Sequence, residues 1–183
     1  MDAHGKGCLC HGTTAPRSRR DILKLAAVGG GAALLGTAPG RDARAAGAVE
    51  ALLLSCMDYR LVDDVTRYMD QRGLTNNYDH VILAGASLGA MTEKKAAWND
   101  TFWDHVAVAK QLHQIRKIIL MDHRDCGAYR VFLGTDLKDD PIKEAAVHGE
   151  ILAALANRIR ERHADLEVEL LLMSLDGTVQ KLG

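Results

Sequence analysis

Short apolar runs recur along the chain with amphipathic stretches between them. Val49–Ser55, His80–Ala84 and Lys117–Met121 are each too short for a buried helix and are bounded by polar or glycine-bearing segments, so each reads as a buried strand. Between the first two, Leu61, Val65, Tyr68 or Met69, and Arg72 fall at helical spacing, with Gly73 placed as a stop. Thr75–Asp79 reads as a polar loop, and Gly85-Ala86-Ser87-Leu88-Gly89 as a turn after the second strand. Trp98, Phe102, Val106, Ala109, Leu112 and Ile115 form one apolar stripe of a long helix. Gly127–Leu133 reads as a short helix, Asp136–Pro141 as an acidic loop, and Ile142–His163 as a long helix with Leu152, Leu155 and Ile159 on one side. Glu167–Met173 is strand-like, and Asp176-Gly177 signals a hairpin into Thr178-Val179-Gln180. The alternation predicts an α/β fold: a mostly parallel sheet of about five strands, the last antiparallel at the edge, with helices on both faces. Sites in such sheets form at strand carboxyl ends near a switch in strand order, and Cys56, Gly85 and His123 all follow strand ends.

The pattern fails before residue 46, where composition changes its meaning. Ser18-Arg19-Arg20-Asp21-Ile22-Leu23-Lys24 precedes a glycine-interrupted apolar segment, Leu25 to Leu35, and the small-residue pattern Ala43-Arg44-Ala45. A basic region, an apolar region and an A-x-A site in that order predict a signal peptide, and the paired arginines resemble the twin-arginine (Tat) export signal. The apolar segment is about half the roughly 20 residues a spanning helix needs, which argues against a membrane anchor. The expectation is therefore a signal at residues 1–45, a folded domain at 46–183 and a periplasmic address. The full chain has a net charge of −1, but residues 1–45 hold seven of its 23 Lys and Arg and three of its 24 Asp and Glu. The remainder, 16 basic against 21 acidic, stands at −5, which points away from nucleic acid and from anionic membrane surfaces.

Cysteine usage brings in the chemistry. Cys8 and Cys10 leave with the signal, so the domain keeps only Cys56 and Cys126. In an oxidising compartment the two could simply pair as a disulfide. Export of an already folded protein by the twin-arginine route favours the alternative, zinc loaded under reducing conditions. Cys56 ends one apolar run, and His123 and Cys126 follow another, giving three soft ligands with a fourth position open. Asp58 and Arg60 sit two and four residues beyond Cys56, and in an extended segment all three face one way. Asp58 could then accept a hydrogen bond from a zinc-bound water or be the fourth ligand itself, with Arg60 holding it off the metal.

Cys56-x-Asp58-x-Arg60 followed by His123-x-x-Cys126-Gly127 resembles the β-class carbonic anhydrases. The resemblance covers most of the domain and implies a β-carbonic anhydrase-like fold, one Zn2+ per subunit on Cys56, His123 and Cys126, and catalytic roles for Asp58 and Arg60. It implies carbonate dehydratase (lyase) activity: reversible hydration of carbon dioxide to bicarbonate by zinc-bound hydroxide. It also implies a homodimer or higher homo-oligomer with the site near the interface. Two segments depart from the family pattern. Leu83-Ala84-Gly85-Ala86-Ser87 stands where an Arg-Asn-Ala-Gly-like turn is usual, and Asp122 precedes the histidine where glycine is common.

Two other functions fit the same ligands: hydrolysis of carbon disulfide or carbonyl sulfide, and non-catalytic zinc binding. His80, His105, His113, His148 and His163 read as surface or packing residues, any of which could shuttle protons. Trp98, Phe102 and Trp103 read as packing or subunit-contact groups, and Gly85 and Gly89 as a turn that could present N–H groups to an anion.

Overall fold

The computed structural model describes residues 47–182, so the expected signal segment, with Cys8 and Cys10, lies outside the described residues. Five strands form one sheet: β1 (Ala51–Cys56), β2 (Tyr78–Leu83), β3 (Lys117–His123), β4 (Glu167–Met173) and β5 (Val179–Lys181). Their order is β2-β1-β3-β4-β5, parallel except for β5, which pairs antiparallel with β4 at the edge. The α/β architecture expected from the pattern is the one observed.

Alternation along the central strands divides the core between the two faces. Leu52, Leu54, Ile118 and Leu120 point to one side, where they meet Phe102, Val106 and Ala109 of α2 (Ala96–His113) and Leu152, Leu155 and Ile159 of α4 (Pro141–Arg162). Leu53, Ile119, Met121 and Leu171 point to the other, where Val65 and Met69 of α1 (Val62–Gln71) cover them. Central strands buried on both faces explain why their sequences are continuous apolar runs. The short helix α3 (Gly127–Leu133) packs Tyr129 against Leu88 and Leu137 beyond the sheet's carboxyl end.

Some boundaries differ from the expectation. β2 starts at Tyr78, because pairing of Ala51 with Tyr78 and Leu52 with Asp79 draws the end of the expected loop into the ladder. α2 stops at His113, with Gln114 left-handed at φ 51°. Leu112 is 56% exposed, being six residues beyond Val106 and so about 240° further round the helix. Ile115, past the helix end, is nevertheless buried by the returning chain. Among the described residues no helix is long and apolar enough to cross a membrane.

Candidate metal centre

The chain runs from β1 out to β2 and then back past β1 to β3, so the strand order reverses between the carboxyl ends of β1 and β3. Those ends open a crevice, the usual place for a ligand in this architecture. Cys56 is the last residue of β1 and His123 the last of β3, and Cys126 follows after a tight turn in which Asp125 is left-handed at φ 53°. Strand pairing thus brings together residues 70 apart in sequence.

One ligand atom each from Cys56, His123 and Cys126 lies within 4.8 Å of the other two. Both cysteines are free, with their Sγ atoms 3.9 Å apart. Zn–S bonds of about 2.3 Å in a tetrahedral site would set the two sulfurs at about 3.8 Å. The His123 ring is oriented by a hydrogen bond from Nδ1–H to the Arg124 carbonyl, 2.8 Å. That bond directs Nε2 into the cluster as a lone pair, where it is buried and has no partner. Two sulfurs and an imidazole nitrogen are also the donor types zinc prefers, so the residues fit the metal.

The electrostatics of the cluster follow from crowding. A hydrogen bond from the Cys126 thiol lowers the Cys56 thiol to about 4 against the pull of burial, with help from His123 and from the Gly85 N–H at 3.3 Å. Cys126 is raised in turn, first by its bond to Cys56 and then by burial. Burial works to lower His123, but the nearby Cys56 sulfur outweighs it and the net shift is upward. In the Gly85–Gly89 turn it is the Gly85 N–H that points at a polar atom, and that atom is the chain's own Cys56 sulfur. Gly85 has φ +80°, and a Cβ at Gly89 would lie 2.4 Å from the Ala84 carbonyl oxygen, so both positions require glycine.

Asp58 and Arg60 reach the site by a different route from the extended segment expected. The chain turns at Asp58, whose side chain accepts the Arg60 backbone N–H at 3.1 Å and caps a 3-10 turn, Tyr59–Leu61. The turn folds the Arg60 guanidinium back onto the same carboxylate, with Nε to Oδ1 at 2.9 Å and Nη2 to Oδ2 at 2.8 Å. This fork holds Asp58 below the ordinary carboxylate range. Arg60 also bonds Asp125, through Nη1 to Oδ2 at 2.7 Å and Nη2 to the carbonyl at 3.0 Å. Asp58 Oδ2 stands 3.8 Å from His123 Nε2, beside the open side of the cluster. Asp125 was not singled out by the sequence reading. Its only signal was its place between the two ligands of the second motif.

The remaining candidates scatter. His80 bonds Ser55 Oγ at 2.7 Å, and His113 pairs with Asp79 at 2.8 Å. His105 caps a carbonyl of its own helix, and His163 lies by Lys110. His148 is instead buried behind the cluster against Asp122. Trp98 stacks edge-on to Phe132, and Trp103 lies under Arg162. An open, largely apolar depression of about 430 Å³ leads to the cluster between Met57, Ala84, Val131 and Phe132.

The chain is 40% identical over 131 residues to an uncharacterized protein of Rickettsia conorii, covering 72% of this chain and 70% of that one. It is 39% identical to an uncharacterized protein of Rickettsia bellii, covering 72% and 80%. The wild-type β-carbonic anhydrase CafD of Aspergillus fumigatus shares the fold at a TM-score of 0.50 and 13% identity, over 81% of this chain and 96% of that one. Residues 47–182 match a family model as a whole, and the chain belongs to the family described as "Putative carbonic anhydrase".

Proposed function

We propose that the protein is a zinc carbonic anhydrase that interconverts carbon dioxide and bicarbonate, with Cys56, His123 and Cys126 as the metal ligands. The observation that carries this reading is the buried, unpartnered Nε2 of His123, aimed between two free thiols at tetrahedral spacing. Zinc held there would supply Lewis acidity, making a bound water acidic enough to react near neutral pH. The chain's own groups do the rest. The Arg60 fork keeps both Asp58 oxygens engaged beside the cluster, where the carboxylate would accept a hydrogen bond from the attacking water and orient it rather than serve as the fourth ligand. The apolar walls formed by Ala84, Val131 and Phe132 suit a small uncharged substrate.

Met57, Tyr59 and Val131, exposed at 64%, 85% and 70%, put apolar surface around the mouth of the site, which supports association into a homo-oligomer there. Export through residues 1–45 completes the proposal and rests on the Arg19-Arg20 pattern. The test combines metal analysis of the purified protein with a carbon dioxide hydration assay. Stoichiometric zinc and rapid hydration are expected. Zinc without hydration overturns the carbonic anhydrase reading, and turnover of carbon disulfide or carbonyl sulfide would then reassign the substrate. Absence of metal together with a Cys56–Cys126 disulfide overturns the zinc site itself.

A further inference from the structure

Immediately behind the ligands lies a group of buried polar residues that the proposed chemistry does not use. Asp122, 1% exposed, precedes His123 in β3 and accepts three hydrogen bonds. Oδ1 takes the Ser87 backbone N–H at 3.0 Å; Oδ2 takes the Tyr129 hydroxyl and His148 Nδ1, the latter at 2.9 Å. Tyr129 and His148 are 2% and 1% exposed, with ring centroids 3.8 Å apart. One helical turn before His148, Glu144 is 4% exposed. Its Oε1 accepts the Asp125 backbone N–H at 2.6 Å and its Oε2 accepts Arg124 Nη1 at 3.1 Å.

These contacts converge on the segments that carry ligands. Ser87 belongs to the turn whose Gly85 N–H meets Cys56 Sγ, and Tyr129 lies three residues beyond Cys126. Asp125 sits between His123 and Cys126 at a left-handed φ of 53°, a conformation that Asp tolerates better than most residues with a side chain. A buried polar group held by several partners is strongly oriented, and an apolar residue at any of these positions would leave the others unpaired.

We propose that Asp122 and Glu144 are positioning residues for the metal centre, fastening the loop Asp122–Cys126 and the Gly85–Gly89 turn to the rigid helix α4. This rests on the zinc reading, but its test is independent of hydration activity. The measurements are the rate at which a chelator removes zinc and the absorption spectrum of the cobalt(II)-substituted protein. Asp122→Asn puts a donor where Tyr129 and His148 donate; it is expected to release zinc about 10- to 100-fold faster and to shift the thiolate-to-cobalt and d–d bands. Glu144→Ala is expected to move both readouts the same way. Leu155→Ala, on α4 but facing the sheet, is expected to lower the thermal midpoint and leave both readouts unchanged. A folded Asp122→Asn protein with wild-type release and spectrum overturns the proposal. If that variant does not fold, Tyr129→Phe and His148→Leu each remove one donor, and wild-type behaviour in both overturns it equally. Wild-type protein that takes up neither metal overturns the zinc reading and this proposal with it, whereas wild-type uptake with unmoved variants overturns this proposal alone.

Discussion

With Nδ1 of His123 committed to the Arg124 carbonyl, its other nitrogen faces the two thiols and, among the described residues, makes no hydrogen bond of its own. Cys126→Ser replaces a soft thiolate with a poor ligand, and metal analysis should find the zinc lost. Asp58→Asn should keep the zinc and lower hydration turnover by roughly 100-fold or more, because the amide presents a donor where an acceptor is needed. Equal metal loss in the two variants would make Asp58 a standing ligand. Arg60→Lys should also keep the zinc while turnover falls, since one ammonium cannot reproduce a fork shared by Asp58 and Asp125. Cys56, Asp58, Arg60, His123 and Cys126 were legible because soft ligands and a spaced Asp–Arg pair stood directly after apolar runs. Asp125, Glu144 and His148 were not, because their significance depends on contacts between loops and a helix that no local pattern records. Asp122 did leave a trace, as a carboxylate inside a run otherwise buried; such a group must have partners, though the sequence does not say which.

Among the elements, the turn after β2 is the least tolerant of change. Gly85→Ala meets Ala128 Cβ at 3.1 Å in addition to a left-handed backbone, and should cost about 1–2 kcal/mol in a denaturant titration. Because the Gly85 N–H also donates to Cys56, the same variant should bind zinc more weakly. Helices and strands were legible in type from periodicity alone, and β4 in its full extent, since Glu167–Met173 was both expected and observed. What failed was local geometry. Extended spacing was expected to aim Asp58 and Arg60, but Asp58 turns the chain by capping its own backbone, a competition that short polar side chains often win. Leu112 was placed in the apolar stripe of α2 by counting apolar positions rather than their phase, and it faces outward.

For the whole molecule, zinc that binds only the folded state should stabilise it by mass action. At 100 times the Kd the gain is about 2.7 kcal/mol, so chelation should lower the thermal midpoint by about 10 °C. A midpoint indifferent to chelator would mean that the cluster holds no metal in the folded protein. One consequence of splitting the ligands between β1 and β3 concerns the order of assembly. Cys56 and Cys126 are 70 residues apart and meet only once two parallel strands have paired across a long crossover. Bringing them together early would require closing a large loop before any sheet rewarded it, so a bound ion would be a poor nucleus for folding, unlike the ion of a zinc finger. On the zinc reading proposed above, the sheet would form first and the ion would enter afterwards, into a cluster already oriented by the Arg124 carbonyl and the Gly85 N–H.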